Sequence, residues 1–196
     1  MVIARNIGAC TIERMIPTRA QAVSLWRKYH LPPYKRHHCT VVAALACTLA
    51  RALMEHGIPV NERLVEAAAL LHDIDKAIQR LPGEHHPDTG VRILREEGFA
   101  EIADVVRTHP LHAILDQNIS PKTWEERLLF LSDKMVKHNV VGVDARFALW
   151  RGEHLPPEAV RILDEAYPEV KKMEREVASL LGVASLSELG TIQKGV

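Results

Sequence analysis

Apolar positions recur at steps of three and four along most of this chain, and that period predicts a succession of helices. Thr18 can cap the first, in which Ala22, Leu25, Trp26 and Tyr29 share a face and which Leu31-Pro32-Pro33 ends. A second helix is expected over residues 36–56, with His38, Val41, Val42, Leu45, Leu49, Ala52 and Leu53 in one stripe and Gly57 as its stop. Asn61 caps a third, whose inner face is Leu64, Ala67, Ala68, Leu71 and Ile74. After a loop around Pro82-Gly83, Pro87 and Asp88 favour a fourth start, with Val91 and Leu94 inward and Gly98 as the end. Ile102, Val105, Val106 and His109 mark a short fifth helix closed by Pro110, and an irregular stretch follows through His112 and Asn118. Thr123 and Glu126 form a capping box that opens a helix expected to reach His138. Beyond it lie helical pieces at 145–150, 158–166 and 169–181, broken by Pro156-Pro157 and Pro168.

The fold class read from this pattern is all-α. There is no internal repeat or low-complexity run, and 196 residues suffice for one domain with a real core. The organisation expected is an N-terminal extension over 1–17, a domain over 18–155, and a C-terminal helical segment over 156–196 packed on it.

Composition narrows the partners. Lys plus Arg and Asp plus Glu are equal at 25 each, so no global field draws the molecule to a nucleic-acid polymer or an anionic membrane, and an anion site must be local. Cys10, Cys39 and Cys47 include no CxxC pair, and the last two fall among apolar helix positions, which suits a reducing, cytoplasmic setting. No stretch is expected to reach the length of a membrane span.

Against this background, several polar residues stand where apolar ones belong. His38 lies in the stripe of the second helix, and His37 points about a hundred degrees away from it. His72 and Asp73 end the third helix, His86 precedes Pro87 with His85 beside it in the loop, His109 shares the face of Val105 and Val106, and Asp133 lies between Leu129 and Val136. An imidazole or carboxylate among apolar side chains is costly unless a metal or an ion pair compensates it. Nitrogen and oxygen donors without sulfur suit Fe, Mn, Zn, Co or Ni, with Mg possible if oxygens and waters dominate.

The ordered pattern His38, His72-Asp73, His86, His109, Asp133 resembles the HD-domain superfamily of metal-dependent phosphohydrolases over roughly residues 18–138. Leu70 to Lys76 looks like Leu-Leu-His-Asp-Ile-Gly-Lys, His86 with Gly90 and Ile93-Leu94 is similar to His-x-x-x-Gly-x-x-Ile-Leu, and Ser132-Asp133-Lys134 resembles Ala-Asp-Lys. Asp75 departs from the pattern, standing where many relatives carry glycine; it adds negative charge near the site. The full set is similar to the two-metal members, including HDIG-type and bacterial diadenosine tetraphosphate hydrolases.

The resemblance implies an HD-domain helical bundle in which His38, His72, Asp73 and Asp133 hold one metal and Asp73 bridges to a second held by His86 and His109. Two such ions share a water, lower its pKa and neutralise charge at phosphorus during in-line attack. Asp73 and Lys76 are the expected catalytic residues. Lys76 is the first choice for a phosphate contact, with Arg80, Arg107 and Lys134 behind it. The implied substrate is a small nucleotide cleaved at a phosphoester or phosphoanhydride bond, and an oligomer is possible. Two alternatives stay open: a di-iron oxygenase, as in myo-inositol oxygenase, and a non-catalytic nucleotide sensor.

Overall fold

The computed structural model describes residues 15–191, and the regular elements within them are helices: α1 (Arg19–Lys28), α2 (Pro33–Glu55), α3 (Glu62–Leu71), α4 (Asp88–Glu96), α5 (Ala100–Arg107), a 3-10 turn (Leu111–Leu115), α6 (Trp124–Met135), α7 (Val143–Arg151), α8 (Pro157–Leu181) and α9 (Ser187–Thr191). The all-α expectation is met. Residues 1–14, most of the expected N-terminal extension with Cys10, lie outside the described residues.

The starts follow local chemistry. Thr18 and Gln21 exchange cap bonds at α1, Thr123 and Glu126 do the same at α6, and the Asn61 side chain accepts from the Leu64 amide at 3.2 Å to open α3. Two boundaries differ from the pattern. Pro33 occupies the first turn of α2 instead of closing the preceding helix, because its missing N–H is one a helix start leaves free anyway. The sixth helix stops at Met135, where Val136 turns extended and pairs with Val140 across a tight reversal.

Helix α2 is the centre of the bundle, packed on α3 and α6 and touching α8 and α9. Its Cys39, Val42, Ala46, Leu49, Ala50 and Leu53 are fully buried or nearly so, and Ala67, Ala68 and Ala69 let α3 come close against it. A helix packed on several sides is apolar almost all round. For that reason α2, contrary to expectation, is long and apolar enough by length and composition to cross a membrane, although 56% of its most apolar window is buried in the bundle.

Pro168 does not break α8, which runs unbroken for 25 residues. An interior proline costs about 3 kcal/mol. The stripe Leu163, Ala166, Val170, Met173, Val177 and Leu181, each at most 8% exposed, offsets it. Most of that stripe belongs to the same hydrophobic core as α2, and α8 packs on the 3-10 turn, α6 and α7.

Candidate metal centre

Five segments bring polar side chains to one end of α2. His38 comes from its second turn, His72 and Asp73 from the turn that follows α3, His86 from just before α4, His109 from just after α5, and Asp133 from the last turns of α6. The donor atoms fall into two groups, His38 with His72 and Asp133, and Asp73 with His86 and His109, each with its atoms within 4.8 Å of one another. Asp73 leans on both, its Oδ2 3.8 Å from His72 Nε2 and its Oδ1 3.7 Å from His86 Nε2. His85 is exposed and remains outside, which decides between the two adjacent histidines.

Each ring is held by its other nitrogen. His38 Nδ1 donates to the Lys137 carbonyl at 3.1 Å, His72 Nδ1 to Ala69 at 2.7 Å, His109 Nδ1 to Val106 at 2.5 Å, and His86 Nδ1 to the Asp75 carboxylate at 2.9 Å. Carbonyls and carboxylates only accept, so every Nδ1 carries a hydrogen, and in the neutral ring Nε2 is left with a lone pair. At these atoms His86 Nε2 faces His109 Nε2 at 3.0 Å, His38 Nε2 faces Asp133 Oδ1 at 2.9 Å, and His72 Nε2 is buried without a hydrogen-bond partner among the described residues. With the rings neutral, these crowded acceptors are satisfied by a cation between them, a proton or a metal ion. The residues present therefore fit one or two metal ions.

Residues 36–159 match the HD domain family. The chain belongs to the HD domain family. An uncharacterized protein of Methanocaldococcus jannaschii is 31% identical over 110 residues, covering 50% of this chain and 64% of that protein. No solved structure matches the chain. HD domains are typically metal-dependent phosphohydrolases, and the paired His and Asp groups of this one could hold the ions such chemistry uses.

The electrostatics of this HD domain suit cations. Burial works against the charge of Asp73, but His72, Lys76 and Lys35 outweigh it and hold the carboxyl far below its usual range. Asp133 is likewise held low against its burial, by the Lys134 ammonium and by contacts with His38 and His72. Burial, with His86, His72 and Lys134 nearby, pushes His109 well below the ordinary imidazole value and keeps it neutral, the form that binds metal. At His72 burial opposes charge, while Cys39, Asp73 and Asp133 more than offset it and raise the pKa. The field that draws a proton there also draws a divalent ion.

The four lysines and arginines expected to contact phosphate separate. Lys76 lies on the cavity wall, its Nζ 3.3 Å from Asp73 Oδ1. Arg80 and Arg107 are exposed and line no part of the cavity. Lys134 is 2% exposed, and its Nζ donates to the His109 carbonyl at 2.7 Å and to Asp133 Oδ2 at 2.6 Å. Lys134 also lines the cavity, and these two bonds tie it between Asp133 and the backbone of His109. Lys35, which sequence reasoning missed, sits on the wall with Nζ 2.6 Å from Asp73 Oδ2. Its signal was its place three residues before His38, hidden by reading Pro32-Pro33 as a stop instead of a start.

Asp75 is 4% exposed and its carboxylate grips His86 Nδ1, which orients the ring and makes its Nε2 more basic. Gly90 of α4 packs beside it, and a Cβ there would stand in ordinary contact, 3.6–3.7 Å from atoms of Ile74 and Asp75. An Asp75→Asn variant is expected to keep the fold and lose about tenfold in metal affinity, read by competition with a fluorescent chelator. Unchanged affinity would mean that Asp75 only fills space.

The cavity between the donors and the walls Pro110, Leu111 and Trp150 has a volume of about 200 Å³. A larger one, about 400 Å³, lies away from all six donors between the start of α7, α8 and the segment leading to α9.

Proposed function

We propose that this HD domain hydrolyses a phosphoester or phosphoanhydride bond in a small nucleotide, such as a dinucleoside polyphosphate, using one or two transition-metal ions. The observation that carries this reading is the convergence of three imidazoles and two carboxylates on one open cavity lined also by Lys35, Lys76 and Lys134, with the buried His72 grouped with His38 and Asp133. His38, His72 and Asp133 would hold one ion, His86 and His109 the other, with Asp73 shared between them. When bound, such ions supply a water of lowered pKa and positive charge for the phosphorus centre.

The chain's own residues do the positioning. Carbonyls of Ala69, Val106 and Lys137 and the Asp75 carboxylate set the four rings before anything binds, so little reorganisation remains for the reaction. Lys35 and Lys76 now neutralise Asp73; with that carboxylate engaged by metal, their ammonium groups are available to phosphate oxygens at the same spot. Among the described residues no serine, threonine or cysteine lines the cavity, which favours direct attack by water over a covalent intermediate on a hydroxyl or thiol.

The test has two stages. The purified protein should contain Fe, Mn, Zn, Co or Ni by elemental analysis, and chelation should lower its melting temperature by mass action. It should then release phosphate or nucleotide from at least one member of a panel of dinucleoside polyphosphates, mono- and triphosphates and cyclic dinucleotides. Oxygen uptake on a polyol or phosphonate without hydrolysis would replace this reading by an oxygenase. Tight nucleotide binding without turnover at saturating Mn would replace it by a sensor.

A further inference from the structure

Beside the charged donors the cavity is lined by Pro110, Leu111 and Trp150, and among the described residues Trp150, near the end of α7, is the one tryptophan, tyrosine or phenylalanine there. That side chain is half-buried and its surroundings fix it. The Arg146 guanidinium, one helical turn earlier, lies 4.1 Å from the indole centroid, and the Phe147 ring meets the indole at 5.2 Å with a 79° tilt. Arg146 Nε and Nη1 are buried without a hydrogen-bond partner among the described residues, and the guanidinium stacks on Trp150. A cation over an aromatic face is a favourable plate, and here it backs a ring that reaches the cavity. Trp150 is therefore a preset flat surface on the wall of a site whose remaining lining is largely ionic.

The volume argues where a ligand would meet it. About 200 Å³ is below the roughly 300 Å³ at which pockets for drug-sized molecules begin. A cavity of that size suits the phosphate end of a ligand, so a larger ligand would extend past its walls, one of which is the half-buried Trp150.

Resting on the hydrolase reading above, we propose that Trp150 is the specificity-determining residue: its indole packs on the flat aromatic group of a nucleotide whose phosphate is held by Lys35 and Lys76. Stacking on an aromatic side chain tolerates every base, since each has a π-face. The selection is for the presence of a base over a bare sugar phosphate, with weak preference among bases.

The test reads binding, not turnover. The full chain, loaded with Mn(II), is titrated calorimetrically with AMP, GMP, CMP and UMP, and with ribose 5-phosphate, which keeps the ester and the sugar but has no base. The nucleotides are expected to bind about tenfold more tightly than ribose 5-phosphate. Trp150→Ala should bring all five within about twofold, and Trp150→Phe, which restores a ring, should recover most of the difference. Should Trp150→Ala fail to fold, Trp150→Leu keeps an apolar wall without a ring and carries the same expectation. Lys35→Ala should weaken all five alike. Equal binding of nucleotides and ribose 5-phosphate by the unaltered chain, or an equal loss for all five in Trp150→Ala, overturns the proposal. Failure to hydrolyse anything would count against the hydrolase reading and leave this result standing.

Discussion

An Asp73→Ala variant is expected to lose bound metal and turnover together while keeping its helices. Asp73 is the carboxylate within 4 Å of imidazoles from both donor groups, and its two other close ionic approaches come from Lys35 and Lys76. Removing it leaves Lys35 and Lys76 about one quarter exposed and able to turn to solvent, so the fold loses little. The two ions would lose their shared anion. Several kcal/mol of charge stabilisation go with them, and at about 1.4 kcal/mol per tenfold the rate falls by at least about a thousandfold. Elemental analysis and phosphate release on the same preparation check this, with circular dichroism as the fold control. A variant with full metal content and full turnover would sink the assignment of the site.

The second large effect is on stability. Lys134→Met, similar in length but uncharged, removes the buried partner of Asp133 and the donor to the His109 carbonyl. Breaking a buried charge pair from one side costs about 3 kcal/mol or more. In metal-free protein this should lower the urea midpoint by about 1.5 M at a slope of about 2 kcal/mol per M. Bound metal supplies positive charge to Asp133 by another route, so the loss should shrink when the ions are present. The pH dependence has a definite sign. The folded pKa of Asp133 lies below its ordinary value of 3.8, so the group stabilises the fold above that value and the contribution is lost as pH falls. Without Lys134 the folded pKa rises toward the unfolded one, and the acid-side decline of stability becomes shallower. A variant of unchanged stability but with a tenfold higher KM would assign Lys134 to substrate contact instead.

Both predictions concern residues that the chain announces to different degrees. Asp73 is conspicuous because an anion directly after an Ala/Leu helix has to be compensated. Lys134 is as conspicuous beside Asp133, but a lysine next to a carboxylate can reach outward or inward, and the placement of the His109 carbonyl is what draws its ammonium inward. Lys35 is the opposite case. A helix start was taken for a stop, since Pro32-Pro33 suits either, and the side chain one turn before His38 passed for loop. In α8, local breaking by Pro168 gave way to burial along 25 residues, an energy that no local signal contains.

The chain by itself determined that the protein is helical, where most helices begin, and which six donors stand out, because period, caps and the cost of buried polar groups are local or nearly so. The tertiary structure alone decided how those donors group, that His86 and not His85 joins them, that Asp75 holds His86, and that Lys35 and Trp150 reach the cavity while Arg80 and Arg107 do not. These are relations between residues as far apart as Lys35 and Trp150, set by how α2, α3, α6 and α7 pack, and packing angle and depth follow from the summed shapes of many side chains and from no single position.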